Sequence, residues 1–193
     1  VLGIVLVSLG LSGLALAETP EAKGLRISQE ADTFNEGFGG EASTMEMLLI
    51  NAHGDETVRK MDSKALEMKE DGDRSIITFL WPNDVKGTKM LTWSHKQGND
   101  DQWLYLPSLK RVKRISSRNK SGAFMGSEFA YEDLGSQEIE KYTYKWLRDE
   151  EVSGRKHWVI ERNPTDKRSG YSRQVVWMDQ EYRQPTKINF YDR

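Results

Sequence analysis

The chain has 193 residues, with 28 Lys and Arg against 30 Asp and Glu and a formal net charge of -2. That is the length of one domain, and so near-neutral a balance argues against a general nucleic-acid binder, which is usually basic. There is no cysteine, which excludes disulfides, thiolate metal sites, a Cys nucleophile and lipid attachment through Cys.

Residues 1–17 carry no charge and no aromatic ring. They end Ala15-Leu16-Ala17, just before Glu18-Thr19-Pro20. An apolar run closing on a small-x-small site reads as a secretory leader cleaved after Ala17. The rival reading, a membrane anchor, is at the short limit for a span. Glu18 stands where a bacterial lipoprotein carries Cys. The expected mature chain, 18–193, is therefore soluble, free of a lipid anchor and a single domain.

Leu25, Ile27, Ala31 and Phe34 predict a short helix, which Gly37-Phe38-Gly39-Gly40 stops. Strand signals dominate from there. Segments 44–52, 57–68, 75–81, 89–95, 102–106 and 111–115 read as strands. Turns at Gly54-Asp55, Asp71-Gly72-Asp73, Pro82-Asn83-Asp84, 97–101 and Pro107-Ser108 separate them. Residues 116–136 break the rhythm and read as a loop with one helical turn. Strands resume with Tyr142, Tyr144 and Trp146 on one face, then 156–162, 171–178 and 186–191. About ten strands and little helix predict a mainly β (α+β) class: an antiparallel meander in a curved sheet or incomplete barrel.

Ile76 to Trp81 and Trp103 to Leu106 are apolar on both faces. A sheet with one wet face alternates, so the expectation is that both faces are covered. Six Trp, seven Tyr, six Phe and seven Met suit either an adaptable apolar cavity or a packed core.

Catalytic signals are weak. His53, His95 and His157 have no second His at ligand spacing. There is no Gly-x-Ser-x-Gly elbow, phosphate loop or Gly-x-Gly-x-x-Gly. The strongest charge feature is Lys110, Arg111, Lys113, Arg114, Arg118 and Lys120, six cations in eleven residues with no acid. It reads as a solvated strand or as a docking patch for phosphate head groups or an acidic partner.

The segment Asp101 to Leu134, with Trp103-Leu-Tyr-Leu-Pro107 and Phe124-Met-Gly-Ser127, resembles the LolA-like outer membrane lipoprotein-sorting protein family, relatives of the periplasmic carriers LolA and LolB. Thr44-Met45-Glu46-Met47, Gly72-Asp73-Arg74-Ser75, Lys86-Gly87-Thr88 and Ser169-Gly170-Tyr171-Ser172 fit as well. The resemblance spans residues 30–193. It implies a half-open antiparallel β-barrel with a helical lid over an apolar cavity that takes acyl chains. It also implies a periplasmic location, often beside RND-type (MmpL-like) exporters, and a chain that continues past Arg193.

The expected function is non-enzymatic: a periplasmic carrier of a lipid or of lipoprotein acyl chains, moving them toward the outer membrane, with no cofactor and no metal. Candidate lining residues are Met47, Phe79, Trp81, Met90, Trp93, Trp103, Tyr105, Tyr144, Trp146, Trp177 and Phe190, with Phe124 and Met125 as a gate at the mouth. The alternative is an accessory protein of an RND/MmpL-type exporter that docks through Lys110 to Lys120. A secreted hydrolase is the third reading.

Overall fold

The computed structural model describes residues 17–193. The leader assigned to residues 1–17 lies, but for Ala17, outside the described residues. The order is one helix followed by ten antiparallel strands. Helix α1 spans Pro20–Asn35, and β1 to β6 span Gly40–Ile50, Glu56–Leu66, Arg74–Trp81, Lys89–Trp93, Asp101–Leu106 and Arg111–Ile115. A run of 3-10 turns follows, and then β7 to β10 at Tyr142–Val152, Arg155–Pro164, Tyr171–Asp179 and Pro185–Asp192. The strands form two meanders, six strands in the order β1 to β6 and four in the order β10-β9-β8-β7. Among the described residues there is no closed barrel. No helix among them is long and apolar enough to cross a membrane.

In the six-stranded sheet, register decides which side chains share a face. Met45 lies opposite Met61 and Met61 opposite Phe79, while Ile77, Met90 and Leu104 form a cross-strand row. This inner face is covered by residues 116–135, whose Phe124 ring sits 5.8 Å from both Phe79 and Tyr131. The same segment ties the two sheets together. The Glu132 carboxylate accepts from the Gly170 N–H at 2.8 Å, and Asp133 accepts from the Tyr171 hydroxyl at 2.9 Å.

Helix α1 covers one face of the four-stranded sheet. Thr19 caps its start by accepting from the Ala22 N–H at 3.2 Å, and Pro20 occupies the first turn, where no N–H is needed. Its buried stripe is Gly24, Ile27, Ser28 and Ala31, an i, i+3, i+4, i+7 pattern. Ile27 packs with Tyr144 and Ile160 of the sheet. Leu25 and Phe34, expected on that stripe, are exposed. Past the helix, Gly37 and Gly39 adopt positive φ, and the Glu67 carboxylate accepts from both of their N–H groups at 2.6 and 2.8 Å.

Gly24 is what lets the helix sit this close. A Cβ there would lie 2.6 Å from the Trp146 backbone nitrogen. Alanine normally favours a helix interior over glycine by about 0.5–1 kcal/mol. Overpacking against backbone that has no way to retreat costs about 1–3 kcal/mol. The clash therefore wins, and Gly24→Ala is expected to lower the stability measured by chemical denaturation.

A second tie joins the β2–β3 and β4–β5 connections. His95 Nδ1 meets Asp71 at 2.6 Å and its Nε2 meets Asp101 at 3.4 Å. The His95 bond, helped by the Lys96 and Gly72 N–H groups, holds Asp71 down at about 2, and Asp71 raises His95 above its ordinary value. The raised histidine stabilises fully below about pH 6.5 and loses this as pH rises through its folded value. The depressed Asp71 stabilises fully above about pH 4 and loses this as pH falls toward 2. The stability difference between the native chain and His95→Gln is therefore expected to peak near pH 5 and shrink on both sides. Denaturation midpoints across pH check this.

Candidate functional site

The described clefts differ in chemistry. One, of about 430 Å³ between the two sheets, is polar, and ion pairs cross it: Lys141 to Asp100 at 2.5 Å and Lys120 to Asp166 at 2.8 Å. Another, of about 590 Å³ beside the end of α1, has a mixed lining in which carboxylates such as Glu36, Glu67 and Glu138 stand beside Lys69, Lys96, Phe38 and Met68. The third is a groove of about 200 Å³ between α1 and the four-stranded sheet, and its wall is mostly apolar. Ile160, Val176 and Ile188 lie side by side on β8, β9 and β10 and make its floor. Ala31 and Ser28 of α1 form the roof, with Ile139, Tyr144, Met178 and Pro185 at the sides. Burial pushes the Tyr144 phenol well above its ordinary value, and its hydroxyl donates to the Ile139 carbonyl at 3.2 Å.

Two arginines, one carboxylate, Asp32, and the amides of Asn35 and Gln137 complete the lining. The Arg162 guanidinium is engaged, donating to Gln174 at 2.6 Å and to Gln137 at 3.2 Å. Arg183 stacks over the Trp158 ring at 4.7 Å, and its Nη1 is buried without a hydrogen-bond partner among the described residues. The turn that presents it is firmly built. Asp179 is 1% exposed, and its carboxylate accepts from Arg155 at 2.6 Å and from the N–H groups of Glu181 and Tyr182 at 2.9 Å. Those bonds hold the Asp179 carboxyl far below the usual carboxylate range. Arg183 itself is left-handed, with φ 55°, and its carbonyl accepts from Asn35 at the end of α1 at 3.1 Å.

The structure splits the expected lining residues into three groups. Met47, Phe79, Met90, Phe124 and Met125 meet in the core of the six-stranded sheet, a space filled by their own side chains. Phe124, expected at a mouth, is 1% exposed within this cluster. Tyr144, Trp146 and Phe190 lie on the α1 face of the four-stranded sheet, and Tyr144 borders the groove.

Trp81, Trp93, Trp103, Tyr105 and Trp177 line neither space. Trp93, Trp103 and Tyr105 project from the outer face of the six-stranded sheet, opposite the Met90 and Leu104 side chains. Phe79 pairs with Met61 but Trp81 pairs with Lys60, so a bulge at Leu80 flips Trp81 outward, where it is 48% exposed. Trp177 packs with Val159 and Val175 on the face of the four-stranded sheet away from α1. Trp93 meets Trp103 edge-on at 5.3 Å, and basic side chains lie over two of the rings, with Arg74 4.4 Å from Trp93 and Lys187 4.5 Å from Trp177.

The basic run is divided as well. Arg114 pairs with Asp101, and Lys120 pairs with Asp166. Lys110, Arg111, Lys113 and Arg118 stay exposed along edge strand β6 and its flanking turns.

None of the histidines has a free ring nitrogen beside a hydroxyl nucleophile among the described residues. His95 has a carboxylate at each nitrogen. His157 is 2% exposed, bonds the Arg155 carbonyl through Nδ1 at 2.9 Å, and has Asp179 3.8 Å from Nε2. His53 is exposed in the β1–β2 turn. No group of three or more His, Asp or Glu residues among those described is placed to hold a metal.

Of the groove residues, Ala31 was read from the sequence only as a helix position, and Ile160, Arg162, Val176, Met178, Arg183 and Ile188 were not singled out. Two signals pointed toward them. The Tyr142, Tyr144, Trp146 alternation identifies the face, and Ile27 and Ala31 of the expected helix are two of the four residues that pack on it. Nothing local marks Arg183.

Comparisons with known proteins agree with this geometry. A family model described only as an uncharacterized protein matches residues 71–193. The chain is 57% identical to a domain from Vibrio parahaemolyticus whose name assigns it to outer membrane lipoprotein sorting, with a TM-score of 0.87 over 89% of this chain and 72% of that one. It is 30% identical to a DUF1329 family protein from Desulfovibrio piger, with a TM-score of 0.84 over 91% and 75% of the two chains. A LolA superfamily protein from Nitrosomonas europaea shares the fold at 20% identity, with a TM-score of 0.64 over 88% and 71%. No curated protein matches the sequence. The degree of identity to the first two of these relatives places the chain: it belongs to the outer membrane lipoprotein-sorting protein family and has the fold of the LolA superfamily protein.

Proposed function

We propose that this protein is a non-enzymatic periplasmic carrier that shelters an acyl chain of a lipid or lipoprotein on its way toward the outer membrane. The observation that carries the reading is the apolar groove beneath α1, walled by Ile139, Ile160, Val176, Met178 and Ile188. The leader-like residues 1–17 support the location.

Volume limits what the groove does. Drug-sized ligands fill roughly 300–1,000 Å³, whereas this groove holds about 200 Å³. It therefore accepts part of one chain, and deeper insertion requires α1 to lift. Each buried CH₂ supplies about 0.8 kcal/mol, so even a partial chain gives useful, reversible affinity. A carrier needs that reversibility to release its load.

Filling the groove with Ile188→Trp is expected to weaken binding of a fluorescent long-chain acyl probe by about tenfold or more, the loss of roughly two buried methylenes. Trp103→Ala, on the outer face, is expected to leave binding unchanged. The reverse pattern would move the site to the outer face.

A second reading is favoured by the four exposed cations on and beside β6. They suit an acidic surface on an exporter partner of the RND/MmpL type, and lysine-rich edges also prevent unwanted strand pairing. Reversing Lys110, Arg111, Lys113 and Arg118 to Glu is expected to abolish recovery of such a partner in pull-downs. Unchanged recovery would mean that these cations only protect the edge.

A further inference from the structure

An apolar groove sorts ligands poorly by itself, because methylenes are alike wherever they come from. Selectivity comes from polar groups placed where a ligand's head group must sit. In this groove that group is Arg183. Its Nη1 is buried and lacks a hydrogen-bond partner among the described residues, a costly state for a charged donor. Other interactions fix its position. The backbone is held left-handed by the turn that Asp179 organises, and the guanidinium lies over the Trp158 ring, 4.7 Å from its centroid. Asn35 of α1 grips its carbonyl. A residue other than Gly or Asn at positive φ carries local strain, which persists only where its surroundings enforce it. With Arg162 and Arg183 against Asp32, the lining has a net positive charge.

Resting on the carrier reading above, we propose that the groove selects amphiphiles with a single anionic group at the end of the chain. That group pairs with Arg183, and the adjoining methylenes lie on Ile160, Val176 and Ile188. The shared chemistry is an anionic oxygen beside an acyl or alkyl chain, whether a carboxylate or a phosphate. Bound there, the oxygen forms a charge-assisted bond with the Arg183 guanidinium in a partly dry site, where such bonds are stronger than neutral ones.

The experiment compares dodecanoate, dodecyl phosphate and dodecanol as competitors of a fluorescent acyl probe on the intact chain. The native protein is expected to bind at least one of the anions about tenfold more tightly than dodecanol, and which anion leads separates the two sources. Arg183→Asn removes the charge while keeping a residue that tolerates the left-handed backbone. It is expected to bind all three alike, and a near-UV circular dichroism spectrum matching that of the native chain shows that the fold is intact. Arg183→Lys is expected to restore part of the preference. Equal binding of all three by the native chain, or a preference that survives Arg183→Asn, overturns the proposal and leaves the carrier reading standing. No binding of any of them by the native chain overturns the carrier reading, and this inference falls with it.

Discussion

The close approach of α1 to β7 is the constraint on which the groove depends. Gly24 brings the helix against the Lys145 and Trp146 backbone, and Ile27 then reaches Tyr144 and Ile160. Ala31 and Ser28, one turn further on, are small, so the gap opens just past the contact. Close at one end and loose at the other, the helix meets the sheet as a hinged cover meets a box. At the loose end it is held by exposed polar groups: Asn35 to Arg183, and Gly37 and Gly39 to Glu67. Exposed bonds of this kind exchange readily with water, and their net worth is about 0.5–1.5 kcal/mol each. That is comparable to what one or two buried methylenes contribute.

The two sheets divide the work. The six-stranded sheet turns its inner face onto Phe124, Tyr131 and neighbouring side chains, which makes it a packed scaffold. The four-stranded sheet, covered by the helix, keeps the apolar groove. Residues 116–141 join them through Glu132 to Gly170 and Asp133 to Tyr171. The motifs that carried the family resemblance, Trp103 to Pro107 and Phe124 to Ser127, belong to the scaffold. They identify the fold because they build it, and they lie apart from the groove.

All ten strands and the helix were legible in the sequence, since alternation and turn residues are local signals. Facing was not. Strands β3 and β5 are apolar on both sides, so parity alone gave no direction, and one bulge at Leu80 reversed Trp81. The helical stripe was blurred because two of its four buried positions are Gly24 and Ser28. Exposed Leu25 and Phe34 suggested a different face. The groove draws on α1 and on strands more than a hundred residues later, and Arg183 reaches it through a turn. No local pattern records such an arrangement.

Amide hydrogen exchange on the intact chain, with and without a saturating acyl ligand, tests the central claim most directly. The account predicts added protection in residues 28–35 of α1 and around Ile160, Val176 and Ile188, with β4 and β5 unchanged. Protection centred on Leu91 and Trp103, or on Phe124, would contradict it, as would no ligand-dependent change anywhere.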